Sequence, residues 1–304
     1  MASSNGNFVW YDLMSTDAKA AEAFYRGVVG WRMQDAGLPD RSYTILSAGE
    51  TAVGGLMPLP PEACDAGAKP VWSGYVAVDD VDAFAARVKQ AGGAIHHPPD
   101  DIPGVGRLAF VADPQGATFV LFKGMSDAQP QPSAPGTPGH TGWRELQAAD
   151  WESAFAFYSS LFGWTKADAV DMGPMGIYQL FAIDGVPKGG MMTKTKDVPA
   201  PLWVYYFNVD DIEAAAARVK NGGGQILTTP TRFQAGAGLS IAAIHRARRS
   251  LCSDHIADRP GAGRSLDPSV AQSWNGGALR CCASRRLCPC ESRTPQLPCS
   301  PAGC

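Results

Sequence analysis

From Phe8 to Leu13 apolar and polar residues alternate, the two-residue period of a half-buried strand. Ser15-Thr16-Asp17 follows with side chains suited to capping a helix. Ala21, Phe24, Tyr25 and Val28 then recur at the spacing of one buried helical stripe. Gly30 ends that helix, and short strands are predicted at Ser42 to Ser47 and Thr51 to Met57, split by a Gly-Glu turn. The pattern then restarts. A strand from Trp72 to Val78 leads into a helix from Val81 to Gln90, capped by Asp79-Asp80 and stopped by Gly92-Gly93. Strands from Arg107 to Val111 and Thr118 to Phe122 close the unit around the turn residues Pro114-Gln115-Gly116. The order is β-α-β-β-β, twice, an α+β fold.

The whole pattern returns later in the chain. Trp10 matches Trp143 at an offset of 133, and the same offset aligns Asp17 with Asp150, Phe24-Tyr25 with Phe157-Tyr158, and Gly30-Trp31 with Gly163-Trp164. Gly54-Gly55-Leu56-Met57 reappears as Gly189-Gly190-Met191-Met192. At an offset of 131, Val78-Asp79-Asp80-Val81 matches Val209-Asp210-Asp211-Ile212. Between the copies, residues 126–139 hold four prolines, two glycines and no aliphatic side chain larger than Ala, the composition of an extended linker. The expected domains are residues 7–125 and 140–231, the second incomplete.

This ordered set, from the Asp17-to-Tyr25 helix start and Gly30-Trp31 to Asp113-Pro114-Gln115-Gly116 before the last strand, resembles the vicinal-oxygen-chelate superfamily of glyoxalases, ring-cleaving dioxygenases and bleomycin-resistance proteins. The resemblance implies tandem domains, each of two βαβββ modules forming a curled sheet whose concave face holds a ligand. It also implies metal ligands on the first and last strands of the modules. Those places fall here on Trp10, Trp143, Ser73, Val204 and Val120; indole and alkyl groups have no lone pair to offer a divalent ion, and one Ser is a poor hard-ion site. His96, His97 and His140, the only histidines before residue 232, fall in a Pro-rich loop and the linker. No metal site and no cofactor are expected.

In place of ligands the strands carry aromatic and sulfur-bearing side chains: Trp10, Tyr43, Met57 and Tyr75 in the first copy, Trp143, Tyr178, Met192 and Tyr205 in the second. Such walls suit a flat organic ligand, and they equally suit core packing. Asp12 and Glu145 lie two residues beyond the tryptophans, on the same strand face. A carboxylate there needs a partner: a ligand, a proton, or an arginine such as Arg26 or Arg107.

Charge divides the chain. Residues 1–231 carry 16 Lys plus Arg against 25 Asp plus Glu, a net of −9; residues 232–304 carry 10 Arg and no Lys against 4 acids, a net of +6. Seven of the eight cysteines follow residue 250. Continuing the repeat predicts Asp-Pro-Gln-Gly near residue 244, and codons compatible with Ala243 to Leu251 yield it when read in another frame. A frameshift is therefore expected, leaving 232–304 as a disordered tail, the second sheet with an open edge, and the product prone to aggregate. The tail lacks the paired C-x2-C spacing of structural zinc sites and any recognisable nucleic-acid module. Met1 to Asn7 has neither the basic nor the apolar region of a secretory leader, and no run approaches 18 apolar residues.

The expectation is a cytoplasmic, metal-independent binder of a small organic ligand, partnering neither nucleic acid nor membrane, with its copies paired within the chain or as a homodimer. The alternatives are a metal-dependent lyase or dioxygenase of the same superfamily, and a damaged copy without function.

Overall fold

The computed structural model describes residues 5–39, 41–65, 67–125 and 133–226, and the backbone of 239–241. The first copy runs β1 (Phe8–Ser15), α1 (Ala18–Val28), β2 (Arg32–Asp35), β3 (Thr44–Ala48), β4 (Thr51–Pro58), α2 (Pro61–Asp65), β5 (Val71–Ala77), α3 (Val81–Gln90), β6 (Ala94–Ile102), β7 (Gly106–Ala112) and β8 (Thr118–Gly124). The second runs β9 (Thr141–Ala148), α4 (Trp151–Phe162), β10 (Thr165–Asp171), a 3-10 turn at Gly173–Met175, β11 (Ile177–Ile183), β12 (Val186–Thr193), β13 (Leu202–Val209), α5 (Ile212–Asn221) and β14 (Leu239–Ile241).

All four long helices begin on an aspartate whose carboxylate accepts from a first-turn amide. Asp17 takes Ala20 N at 2.9 Å, Asp80 takes Ala83 N at 3.0 Å, Asp150 takes Ser153 N at 3.1 Å, and Asp211 takes both Glu213 N and Ala214 N. The cap satisfies donors that the first turn cannot pair internally. It explains why α1 and α3 span the residues their sequence pattern marks.

Two curled sheets result. The first has the order β2-β3-β4-β1-β5-β8-β7-β6, the second β10-β11-β12-β9-β13-β14. The opening strand of each copy sits at the centre: β1 pairs parallel with β4 and antiparallel with β5, and β9 does the same with β12 and β13. Alternation along β1 sends Tyr11 and Leu13 into the core and leaves Trp10, Asp12 and Met14 on the concave face.

The core is shared between copies. Tyr11, Phe24, Tyr25, Trp31 and Leu56 of the first belong to one cluster with Leu146, Tyr158, Trp164, Phe181 and Trp203 of the second. Trp164 stacks on Phe181 with ring centroids 4.4 Å apart, and on Tyr158 at 5.3 Å. Each such pair adds about 0.5–1.5 kcal/mol beyond the area buried. Helices from opposite ends of the two copies meet. Arg87 of α3 donates to the Ser160 and Leu161 carbonyls at the end of α4, and Arg218 of α5 donates to the Val28 carbonyl at the end of α1.

Two features depart from the sequence reading. His96 and His97 lie in a strand, β6, rather than in a loop. Its prolines fall where the pairing with β7 shifts register, between His97 and Asp100, at an edge of the sheet. An edge strand with a bulge tolerates Pro because no ladder hydrogen bond is lost. The short helix α2 was also unforeseen. The expected out-of-frame tail lies outside the described residues, except for β14. That strand runs antiparallel to β13, whereas β8 runs parallel to β5, so β14 does not repeat the strand it would replace.

Candidate functional site

On the concave face of the first sheet four of the five residues singled out there converge. Asp12 is 3% exposed, and its Oδ1 accepts from Trp10 Nε1 and Tyr43 OH, both at 2.8 Å, while Oδ2 accepts from Tyr75 OH at 2.6 Å. Trp10 Nε1 also lies 2.9 Å from Tyr43 OH. Asp12 stands opposite Gly55 of β4 and Ser73 of β5. A Cβ at Gly55 would come within 2.5 Å of Asp12 Oδ1 and closer still to the Tyr43 hydroxyl, so only glycine lets the phenol reach the carboxylate. Burial raises the carboxyl pKa of Asp12 above its ordinary value of 3.8, opposed by the three side-chain donors and the Gly55 amide. The same burial and the neighbouring carboxylate raise Tyr43 and Tyr75 beyond their usual range, so both stay protonated donors. Met57 follows Gly55 on this face of β4, outside the hydrogen-bonded group.

The second sheet repeats the cluster with one carbon more. Glu145 accepts from Tyr178 OH and Tyr206 OH, each at 3.1 Å, and from Gln147 Nε2 at 2.5 Å; Trp143 Nε1 donates to Tyr178 OH at 2.7 Å. Gly190 makes the same room as Gly55, since a Cβ there would fall 2.6 Å from the Tyr178 hydroxyl. Trp143, Tyr178 and Met192 form a small core of their own, with Met172 and Leu180 packed on it.

Tyr205 does not join them. It points to the other face, where its hydroxyl accepts from Gly74 N at 2.8 Å and its ring meets Tyr11 at 5.1 Å. The residue equivalent to Tyr75 is Tyr206, as the offset of 131 that aligns Val78 with Val209 already indicates. Neither arginine weighed as a partner reaches the carboxylates: Arg107 pairs with Asp82 and Asp101, and the described contacts of Asp12 and Glu145 are with phenols, indole and amides.

Open space lies beside the first cluster, not within it. A cavity of about 210 Å³ is walled by Met14, Val71, Phe110 and Thr118 of the concave face, by Leu59, Pro60 and Ala63 at α2, and by His96, with Lys69 at its rim. Met14 and Val71 are register partners two residues along from Asp12 and Ser73. Ser73 is 1% exposed, and its hydroxyl has no hydrogen-bond partner among the described residues. His96 packs its ring 6.2 Å from Phe110 and makes no hydrogen bond among the described residues. Burial lowers its pKa below 6.5, so it is neutral at pH 7 and offers one donor and one acceptor.

The donor set does not fit a divalent ion. Trp10 and Trp143 spend their N–H groups as donors, Val120 and Val204 are alkyl, and both Asp12 oxygens are engaged by neutral donors. Among the described residues no three His, Cys, Asp or Glu side chains converge. Nor is any described helix long and apolar enough to cross a membrane.

Comparison with known proteins accords with this architecture. The family model of the Glyoxalase/Bleomycin resistance protein/Dioxygenase superfamily matches residues 7–121 and again 137–261. A Mycobacterium tuberculosis protein with the provisional name glyoxylase CFP32 is 32% identical over 223 residues, 73% of this chain and 84% of its own. The anthracycline biosynthesis protein DauV of Streptomyces sp. strain C5 is 31% identical over 262 residues, 78% of this chain and 93% of its own. Among solved structures, the 2,2',3-trihydroxybiphenyl 1,2-dioxygenase of Sphingomonas wittichii superposes with a TM-score of 0.55 at 14% identity, covering 79% of this chain and 93% of that one. The Mn(II)-bound glyoxalase of Novosphingobium aromaticivorans gives 0.50 at 19%, covering 79% of each. The chain belongs to the Glyoxalase/Bleomycin resistance protein/Dioxygenase superfamily, as a tandem of two copies of its domain.

Proposed function

We propose that the protein binds a compact, ring-containing organic molecule in the cavity of the first copy, without a metal ion. The cavity beside Asp12 carries this reading. Its roughly 210 Å³ exceeds the cavity of about 150 Å³ that holds a benzene molecule in an engineered protein core. Seven of its ten lining side chains are apolar (Met14, Leu59, Pro60, Ala63, Ala68, Val71 and Phe110), with the neutral His96 and the Thr118 hydroxyl to orient a polar group. Lys69 at the rim and the lack of any acid in the wall favour neutral or anionic ligands over cationic ones. The aromatic clusters around Asp12 and Glu145 serve as rigid floors, closed by their own hydrogen bonds. The Streptomyces relative, named for anthracycline biosynthesis, is in keeping with a ring-containing ligand.

The test uses indole, a small ring with one N–H for an imidazole to accept. Full-length protein is titrated and binding followed by calorimetry. Binding is expected for the wild type and lost in Ala63→Phe, which fills the cavity. Equal binding by both proteins contradicts the assignment.

A further inference from the structure

A second cavity, of about 60 Å³, opens on the opposite face of β9, where the two copies meet. Asn7 and Phe8 line it from the first copy, and Arg144, Ile183 and Lys188 from the second. At roughly 10–15 Å³ of such space per water, it holds a small polyatomic group rather than one water.

Two cations share this space, and neither has an anion within salt-bridge distance: the described ion pairs involve only Arg32 and Arg107. Arg144 is half-buried and spends Nε on Tyr11 OH at 2.6 Å and one Nη2 proton on the Thr141 carbonyl at 3.2 Å, both neutral acceptors. Its guanidinium lies 5.9 Å from the Phe8 ring centroid and 5.6 Å from that of Tyr11. Among the described residues its remaining N–H donors are uncommitted. Lys188 is also half-buried; burial and then the charge of Arg144 lower its pKa, with only the exposed Asp184 on the adjoining turn acting the other way. Partly desolvated like charges cost free energy unless something negative lies between them.

The fold itself does not call for them. Residue 144 occupies the place of Tyr11 in the first copy, and by the Gly54-Gly55 alignment with Gly189-Gly190, residue 188 occupies the place of Val53. The first copy builds the same strands with a phenol and an alkyl group. We propose that Arg144 and Lys188 form a binding site for a small oxyanion, of phosphate or carboxylate type, at the seam between the two copies. A guanidinium fork and an ammonium lining the same small cavity match the oxygens of such a group, and Asn7 adds a polar side chain. Because one wall belongs to each copy, the bound anion also strengthens their association.

The test is thermal unfolding and 31P NMR titration of the full chain with inorganic phosphate, against sodium chloride at matched ionic strength. Phosphate is expected to raise the Tm more than chloride does. Lys188→Val, which installs the residue of the first copy, is expected to weaken phosphate binding at least tenfold, and Lys188→Arg to retain it. Lys188→Gln keeps the stem and replaces the valine variant should that not fold. Equal shifts from phosphate and chloride, or unchanged phosphate affinity in the valine or glutamine variant, overturn the proposal.

Discussion

The indole of Trp31 donates to the carbonyl of Gly139 at 2.7 Å, so a residue between α1 and β2 holds the backbone leading into the second copy. The converse contact exists as well: Trp164 Nε1 donates to the Gly6 carbonyl at 3.0 Å. Trp31 and Trp164 are repeat equivalents, as are Gly6 and Gly139, each pair separated by 133 residues. Arg87 and Arg218 reciprocate in the same way across the helix ends. In these contacts the two copies meet as the halves of a two-fold interface do, each made twice.

This reciprocity predicts cooperative unfolding. Chemical denaturation followed by tryptophan fluorescence and by circular dichroism should give one coincident transition, and Trp31→Phe should lower that single transition by about 1–3 kcal/mol. Two separate transitions would show the copies to be independent.

The Asp12 cluster predicts a ranked pair of variants. Asp12→Ala leaves Trp10 Nε1, Tyr43 OH and Tyr75 OH without their buried acceptor and should cost about 3 kcal/mol in urea unfolding. Asp12→Asn keeps one acceptor and should cost less.

The same carboxyl gives a pH dependence. Its folded pKa is raised above 3.8, so its contribution is fully present below that pH and is lost as pH rises through the folded value. The stability of the wild type relative to Asp12→Asn should accordingly fall with rising pH above 4. A rise would mean that the hydrogen bonds outweigh burial.

His96 behaves oppositely. Its folded pKa lies below 6.5, so the stability it contributes is present above pH 6.5 and is lost as pH falls through the folded value. Its imidazole resonances in NMR should titrate below 6.5 in the free protein. An unshifted or raised value would remove it as a neutral hydrogen-bonding group of the cavity.

Gly74 predicts a steric effect at the seam. A Cβ there would lie 2.6 Å from Tyr205 OH and 2.8 Å from the Phe8 ring, so Gly74→Ala should destabilise by about 1–3 kcal/mol by the same measurement.

Much of this was legible in the sequence where local chemistry acts alone. Asp17 and Asp80 mark the helix starts because capping is decided within three residues, whereas the Gly-Gly pairs only align the two copies, and the room that Gly55 and Gly190 leave for a tyrosine shows once the neighbouring strands pair. Other features depend on partners distant in sequence. Pro98 and Pro99 read as a loop until β7 pairs beside them at an edge. Tyr205 and Tyr206 are adjacent and identical, so residue type alone does not tell them apart; the offset of 131 and the strand register both assign Tyr206 to Glu145. The cavity was hidden because its wall is α2, whose Pro60-Pro61 start carries little helical signal, together with His96 from that misread strand.

The most direct test of the central claim is metal analysis of the full-length protein combined with indole titration before and after dialysis against EDTA. The account predicts no stoichiometric Zn, Ni, Mn or Fe and the same indole affinity in both preparations. A stoichiometric metal whose removal abolishes binding would contradict it.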